Sequence, residues 1–448
     1  MRFALTLALL LGASTADQPN FVFILIDDLG ATDLGCTGSS FYETPNLDRL
    51  AARGMKFTHA YSACTVCSPT RASLLTGKYP ARLHLTDWIP GHVNPTAKLR
   101  IPDWTQALPL EEHALPRALG PSGYVSGLFG KWHLGKEDHG PEKFGFDRNV
   151  GGTHQGHPPS YFDPYRIPAI PDGTKGEYLT DRLTDEAIRF IKENRNKPFF
   201  LYLPHYAVHN PAQAKPELVE KYKAKVKPDQ RQRKPVYAAM VESVDQSVGR
   251  IVAALEELRL SEKTIVVFTS DNGGLSSNTS NAPYRDGKAT AYEGGVRVPL
   301  LVSWPGTVAA GKTCDVPVVT PDWYPTILEL AGVRPQESRI VDGVSLVPLL
   351  REKESFAREA LYWHYPHYTS VGGTPHGAIR RGDWRLVEFF EDDRVELYNL
   401  KDDVGETKDL AAALPDKARE LRRALADWRA AVGAQMPTPN PNYEPSKK

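Results

Sequence analysis

Ten residues of this chain have the types and placement to do chemistry together. Asp27-Asp28 and Asp271-Asn272 each close a short apolar, β-rich run, Phe21 to Ile26 and Thr264 to Ser270. Lys131 and His133 follow a third such run, Tyr124 to Phe129, and His209 comes shortly after a fourth, Phe199 to Leu203. Cys67 opens the segment Cys67-Ser68-Pro69-Thr70-Arg71, and Lys288 lies in the polar loop after Asp271-Asn272. Two adjacent carboxylates repel each other unless a cation or an arginine lies between them. The all-oxygen set Asp27, Asp28, Asp271 and Asn272 suits a hard cation, calcium more readily than magnesium because most ligands would be protein groups. Zinc would call for more histidine or thiolate. Lys131, Lys288 and Arg71 beside that cation would surround a tetrahedral oxyanion, and His133 and His209 are suited to moving protons near neutral pH. Pro69 fits the first turn of a helix and Gly77 its end, which puts Cys67 at the positive end with Arg71 on the same face. A thiol or its oxidised product held there is equipped to handle an anion. The plainer reading is a buried structural cysteine.

These residues need a frame that brings distant segments together. Each of the four runs reads as a strand, Phe21 to Ile26 as one buried on both faces, as in a parallel sheet. Helical patterns alternate with them: Thr44 to Gly54, Glu111 to Leu119, Thr180 to Asn194, residues 235 to 260 and Asp322 to Leu330. A further strand, Leu300 to Trp304, follows Glu293 to Pro299. The alternation predicts an α/β fold with a large mixed, mostly parallel sheet sandwiched by helices. In open sheets of that kind ligands bind outside the carboxyl ends of the strands, where all four polar clusters fall. The Gly-, Pro- and His-rich stretch 137 to 176 reads as a long loop. From about Arg351 the texture changes to short antiparallel strands (361–365, 377–382, 384–390 and 395–400) and a charged helix from Pro415 to Val432. The expected division is therefore a signal peptide at 1–16, a catalytic α/β domain at 17–350, a small α+β domain at 351–435 and a disordered tail at 436–448.

Composition sets the outer limits. The chain has 448 residues, 41% of them hydrophobic, with ample material for a core. Lys+Arg and Asp+Glu both number 54, so no global field favours nucleic acid or an anionic membrane. Arg2, the apolar run Phe3 to Gly12 and Ser14-Thr15-Ala16 have the layout of a secretory signal cleaved near Ala16. That run is too short to span a bilayer, so a soluble, exported protein, periplasmic or secreted, is expected. The four cysteines include Cys64-x-x-Cys67, with no second such pair to complete a zinc knuckle.

Cys67-Ser68-Pro69-Thr70-Arg71 with Leu75-Thr76-Gly77-Lys78 resembles the signature of the formylglycine-dependent (type I) sulfatases of the alkaline phosphatase superfamily. Asp27-Asp28, Thr44 to Leu50, Gly130 to Gly135, Asp271-Asn272-Gly273 and Glu396 to Asp409 resemble the family in the same order, so the likeness spans nearly the whole mature chain. The resemblance implies a sulfuric ester hydrolase, with Cys67 converted to formylglycine by a maturation enzyme and working as its hydrate. It implies one calcium ion held by Asp27, Asp28, Asp271, Asn272 and residue 67. Arg71, Lys131 and Lys288 would bind the sulfate and residue 67. His209, at a near-neutral pKa, would protonate the leaving oxygen, and His133 would deprotonate the second diol hydroxyl as sulfate is expelled.

Two other readings compete. One is a phosphodiesterase or phosphonate hydrolase of the same superfamily, whose relatives use Ser or Thr and two zinc ions; Cys67 and the single-cation ligand set argue against it. The other is a binding protein that kept the fold without catalysis. The absence of a basic stripe favours a small sulfated substrate, a sulfated saccharide, over a long polyanion. Trp88, His84, His92, His154, His157, His364, His367 and His376 fall in loops or at the domain junction, where a sugar could stack and hydrogen-bond.

Overall fold

The computed structural model describes residues 18–443 apart from 172, 337, 354 and 355, so the expected signal peptide lies outside the described residues. The first strand, β1 (Asn20–Ile26), is buried along its whole length. Its alternate residues go to opposite layers, Val22, Ile24 and Ile26 into one apolar cluster and Phe21, Phe23 and Leu25 into the other. A strand that is apolar at every position can be satisfied only between two covering layers.

Seven more strands complete its sheet: β2 (Met55–Phe57), β3 (Val125–Phe129), β4 (Arg148–Val150), β5 (Phe199–Pro204), β6 (Thr264–Ser270), β7 (Leu300–Ser303) and β8 (Lys312–Cys314). They lie in the order β8-β2-β7-β6-β1-β5-β3-β4. The centre, from β6 through β1, β5 and β3 to β4, is parallel, while β7 runs antiparallel to both its neighbours. On one face pack α1 (Pro45–Ala52) and the longer helices at Leu179–Glu193 and Pro235–Glu257; on the other pack the helices Cys67–Thr76 and Trp323–Leu330. This is the mixed, mostly parallel sheet between helical layers that the alternating pattern predicts.

Three local expectations differ. The helix expected over Glu111 to Leu119 covers only Leu115–Leu119, because Pro116 sits in its first turn and the residue two before it, Ala114, is extended at φ −62°, ψ 156°. Within the stretch read as loop, Arg148–Val150 pairs in parallel with β3 as an edge strand too short to show a period. The tail expected to be disordered from 436 is held at Thr438–Pro439, which pairs with Leu99–Arg100, and Asn440 Nδ2 donates to the carbonyls of Pro95 and Ala97 at 2.9 and 2.7 Å.

Four antiparallel strands, Leu361–Tyr365, His376–Arg381, Trp384–Phe389 and Arg394–Asn399, form the second sheet. One face packs on the helix Pro415–Val432 through Ile379, Leu386, Leu397, Leu421 and Leu425. The other meets the first domain through Trp363, Val387 and Phe389 against Tyr61, Tyr292 and Val296. Buried charges cross the same junction: Arg385 lies 3.1 Å from Glu293 and 3.0 Å from Glu406, and Glu293 also accepts from Arg297 at 2.7 Å. The cluster is only partly satisfied: Arg385 Nε and Glu406 Oε1 are close without hydrogen-bond geometry, and burial pushes Glu406 up to about 8 against the pull of Arg385. No helix among the described residues is long and apolar enough to cross a membrane.

Candidate active site

Sheet register brings the acids together. Ile26 and Ser270 are parallel partners, so Asp27-Asp28 and Asp271-Asn272 leave the sheet side by side. The next strand outward, β5, delivers His209, and β3 beyond it delivers Lys131, whose backbone N–H donates to Pro204 O at 2.7 Å. Facing these strand ends, Cys67 is the first residue of the helix that Gly77 closes in the left-handed conformation at φ 72°. All ten candidate residues therefore meet at one place, and all but Lys288 and His209 are buried.

Charge pairs hold the cluster. Lys131 Nζ lies 2.6 Å from Asp27 Oδ2. Lys288 Nζ lies 2.6 Å from Asp28 Oδ1 and 4.0 Å from Cys67 Sγ. Arg71 donates to Asp271 Oδ2 from Nε at 3.0 Å and Nη2 at 2.7 Å, and to the carbonyl of Lys131 at 3.1 Å. Its guanidinium thus spans Asp271 and the Lys131 carbonyl, with Asp27 Oδ2 3.7 Å from Nη2. The backbone is strained here as well: Asp28 and His133 both adopt φ near +60°, at 64° and 59°. Non-glycine residues held there cost about 1 kcal/mol or more each, and such positions cluster at functional sites.

Two buried oxygens, Asp27 Oδ1 and Asn272 Oδ1, have no hydrogen-bond partner. Potential ligand atoms of Asp27, Cys67 and Asp271 lie within 4.8 Å of one another, as do those of Asp27, Asp28 and His209. Unpartnered acceptors this deep are costly unless something positive faces them. Burial, reinforced by the charge of Asp27, pushes the Asp271 carboxyl up to about 6 against the pull of Arg71 and Lys131. For Asp28 burial also pushes upward, but Lys288 and His209 outweigh it and hold the carboxyl well below the usual carboxylate range. The oxygen-only character of the orphaned groups fits a hard divalent cation.

The thiol environment is the reverse of a reactive one. Burial pushes the Cys67 thiol up despite Lys131 and Lys288, and pushes Cys64 up to about 12. Both cysteines are free, so the Cys64-x-x-Cys67 spacing is not a disulfide. As an unmodified thiol, residue 67 would be a protonated and poor nucleophile.

The histidines have assigned tautomers. His133 Nε2 lies 2.5 Å from Ile89 O, which can only accept, so the proton is on Nε2 and the lone pair on the buried, unpartnered Nδ1. Burial, with Lys131 beside it, holds His133 neutral, well below the usual histidine value. His209 donates from Nδ1 to Asn210 O at 2.7 Å, which turns Nε2 toward Asp28 Oδ2 at 3.7 Å. Burial and Lys288 push His209 down to about 3, far from the near-neutral value expected for it.

Sequence reasoning missed the parts that hold these rings. Ser68 Oγ donates to His133 O at 2.9 Å and accepts from Ile89 N at 3.2 Å, stitching the helix start to both. Gly156 packs so closely that a Cβ there would stand 2.7 Å from His133 Cε1. His157 lies parallel to His209, with centroids 6.2 Å apart and 5° between planes. Tyr161 Oη donates to the carbonyls of Tyr206 and His209 at 2.6 and 2.9 Å, which fixes the turn after β5. Ser68 could have been suspected from its place beside Cys67, and His157 was among the loop histidines expected near a sugar; Gly156 and Tyr161 carry no local signal. Of the loop histidines, His364 and His367 are buried and bonded to Gln435 O and Thr86 Oγ1, as structural groups.

Comparison with known proteins meets this geometry from another side. The sulfatase family profile matches residues 19–333, and that of the N-sulphoglucosamine sulphohydrolase C-terminal region matches 285–430. The chain is 34% identical to a sulfatase of Formosa agariphila over 92% of its own length and 88% of that protein's. It is 38% identical to human N-acetylgalactosamine-6-sulfatase, covering 79% of this chain and 70% of that one. Among solved structures, Ps i-CgsB superposes with a TM-score of 0.80 at 31% identity, covering 95% of this chain and 94% of the other. The same protein has been solved in complex with k-i-k-neocarrahexaose, with a TM-score of 0.79 to this chain.

Proposed function

The chain belongs to the sulfatase family of the alkaline phosphatase superfamily and is a sulfatase, and from that premise we propose that it desulfates a saccharide through formylglycine at residue 67 and one calcium ion. The observation that carries the proposal is the meeting of two orphaned buried oxygens, Asp27 Oδ1 and Asn272 Oδ1, with a helix-start cysteine flanked by Lys131 and Lys288. The cation would be held by Asp27, Asp28, Asp271, Asn272 and residue 67, and would supply Lewis-acid polarisation of a sulfate oxygen. As formylglycine hydrate, residue 67 would supply two hydroxyls on one carbon, one to bond sulfur and one through which sulfate is released. A saccharide ester is supported by the relative named for N-acetylgalactosamine 6-sulfate and by the saccharide-bound neighbour.

The chain's own residues do the rest. Lys131 and Lys288 place positive charge where the sulfate oxygens gather charge in the transition state. Arg71 keeps Asp271 ionised and in place, a positioning role. His133 takes a proton from a residue 67 hydroxyl at Nδ1, because Nε2–H is held by Ile89 O. His209 hands a proton from Nε2 to the leaving oxygen. Its low pKa in the free site means that the imidazolium is sustained only once the negative charge of the bound ester is beside it. Every residue from Cys67 to Thr76 is buried in the folded chain, so the maturation enzyme would act on this segment before it folds. Export through residues 1–16 would then deliver the finished enzyme outside the cytoplasm.

The test joins chemistry and analysis. Purified enzyme should hydrolyse an aryl sulfate far faster than the matching aryl phosphate, and mass spectrometry of the residue 67 peptide should show aldehyde or hydrate. Full activity with an intact thiol at residue 67, or a preference for the phosphate, refutes the proposal.

A further inference from the structure

His133 keeps its proton on Nε2 because one backbone carbonyl, Ile89 O, accepts it at 2.5 Å. If that carbonyl turned away, the proton could settle on Nδ1, and the ring would lose the acceptor nitrogen that the chemistry above uses. Ile89 lies in the loop between the helical turn Pro80–Leu83 and the short strand Leu99–Arg100, and Pro90, Val93, Asn94 and Pro95 beside it are exposed. Exposed loops move more than the elements they join, so a fixed carbonyl direction here depends on bonds from rigid parts of the fold.

One buried carboxylate supplies such bonds. Asp87 Oδ1 accepts from Trp88 N at 2.8 Å and Oδ2 from His92 N at 3.4 Å, so the group reaches the backbone on both flanks of Ile89. Ser68 Oγ accepts from Ile89 N itself at 3.2 Å. The carboxylate is in turn held from the second domain: Tyr365 Oη, at the end of the strand Leu361–Tyr365, donates to Oδ1 at 2.6 Å. Asp87 and Tyr365 are both buried. The Tyr365 ring packs among Cys64, Val66 and Ala289, next to the start of the Cys67 helix, which leaves its hydroxyl little freedom. His367 Nδ1, 4.0 Å from Oδ2, stands too far away to bond. Gly91 completes the fit, since a Cβ there would stand 2.7 Å from Trp104 Cζ2 and 3.1 Å from Asp87 Oδ2. A buried carboxylate is costly unless donors face it, and the donors that face Asp87 are those that set this loop.

Resting on the sulfatase reading, we propose that Asp87 and Tyr365 are positioning residues for the proton acceptor: through Tyr365 Oη and the Asp87 carboxylate, the second domain aims Ile89 O and so selects the His133 tautomer whose Nδ1 can take the residue 67 proton. Neither side chain acts on the reacting atoms itself. Their effect on rate passes through His133, in the way that a partner on one ring nitrogen sets the role of the other.

The experiment compares the full mature enzyme with Tyr365→Phe, Asp87→Asn, His133→Gln and the double variant Tyr365→Phe/His133→Gln, using an aryl sulfate as substrate. Tyr365→Phe keeps the ring and its packing and removes one donor. Its kcat should fall about tenfold with KM no higher. In the His133→Gln background the same change should leave the residual kcat within about twofold, because two changes on one path do not add. Asp87→Asn keeps one acceptor and sets N–H against a backbone N–H, so its kcat should fall at least as far. Proton NMR gives a readout that needs no turnover. The bonded Nε2–H of His133, a downfield resonance identified by its loss in His133→Gln, should move upfield or exchange away in Tyr365→Phe. A wild-type kcat in Tyr365→Phe, an equal loss with and without His133, or a resonance unmoved in Tyr365→Phe overturns the assignment. Should Asp87→Asn fail to fold, Tyr365→Phe decides alone. Absence of all sulfate-ester turnover in wild type would instead defeat the sulfatase reading, and the resonance would then decide whether Tyr365 sets the tautomer.

Discussion

At the level of single residues the proposed chemistry separates groups that would hold the cation from groups that would hold the reacting sulfate. Asp271 faces Arg71 through two bonds at 3.0 and 2.7 Å, and both side chains are buried. On the proposed reading Asp271→Asn takes a carboxylate out of the ligand set and leaves buried Arg71 with only Asp27, 3.7 Å away, as a charge partner. Lys288 is bound only to Asp28 and residue 67, on the side where sulfate would lie. Lys288→Ala should therefore lower kcat by about a hundredfold or more while calcium stays bound. Asp271→Asn should lose calcium and turnover together. Metal analysis after dialysis beside steady-state kinetics separates the two, and equal calcium loss in both variants would refute the division. Asp27, Asp28, Asp271 and Asn272 were legible in the sequence because each stands at the end of an apolar run, where position and type coincide, whereas Lys288 rested on its loop position after Asp271-Asn272 alone. The direction of Arg71 was not legible, since a helix face says which residues share a side but not which partner a guanidinium takes.

At the level of elements, what positions His133 comes from backbone that no periodicity marks. The ring is gripped by Ile89 O on one nitrogen, by Ser68 through its own carbonyl, and by Gly156 against its edge. Strands and helices with long apolar periods were readable from the sequence alone, including the helix Pro415–Val432 and the strand Thr264–Ser270. Strands of three residues such as Arg148–Val150, and the loops carrying Ile89 and Gly156, were not, because their structure is dictated by distant partners. Gly156→Ala tests this layer. Its Cβ would start 2.7 Å from His133 Cε1, and either the loop or the ring must shift. Misplacing a proton acceptor by a fraction of an ångström costs rate more than binding, so kcat should fall by roughly ten- to a hundredfold with KM little changed. Unaltered kcat would show that His133 does not need this packing.

At the scale of the whole molecule, the second sheet closes the site from one side and brings buried histidines with it. His364 lies near the end of the strand Leu361–Tyr365 and His376 opens the neighbouring strand His376–Arg381, so that His364 pairs in register with Gly377 and Tyr365 with His376. Burial pushes His364 down to about 4, with Arg429 and His376 adding to it against the bond to Gln435 O. In an unfolded chain the same ring titrates near 6.5. Below that value the unfolded state binds a proton that the folded state refuses, so the contribution of His364 to stability is full above about pH 6.5. It is lost progressively as the pH falls toward about 4. Buried acids such as Asp87, which burial pushes up to about 7, change stability in the opposite sense over part of the same range, so the total need not fall monotonically. The clean observable is a difference between two proteins. His364→Gln should be less stable than wild type at pH 7 by about 1 kcal/mol for the lost packing and hydrogen bond. Because Gln has no proton to gain, that deficit should shrink on acidification and reverse by pH 4.5, the full linkage being ~3 kcal/mol. Urea unfolding of both proteins at pH 7 and pH 4.5 measures it. A deficit that stays constant between the two pH values would mean that His364 is already charged in the folded junction, and that acid enters between the sheets without opening them.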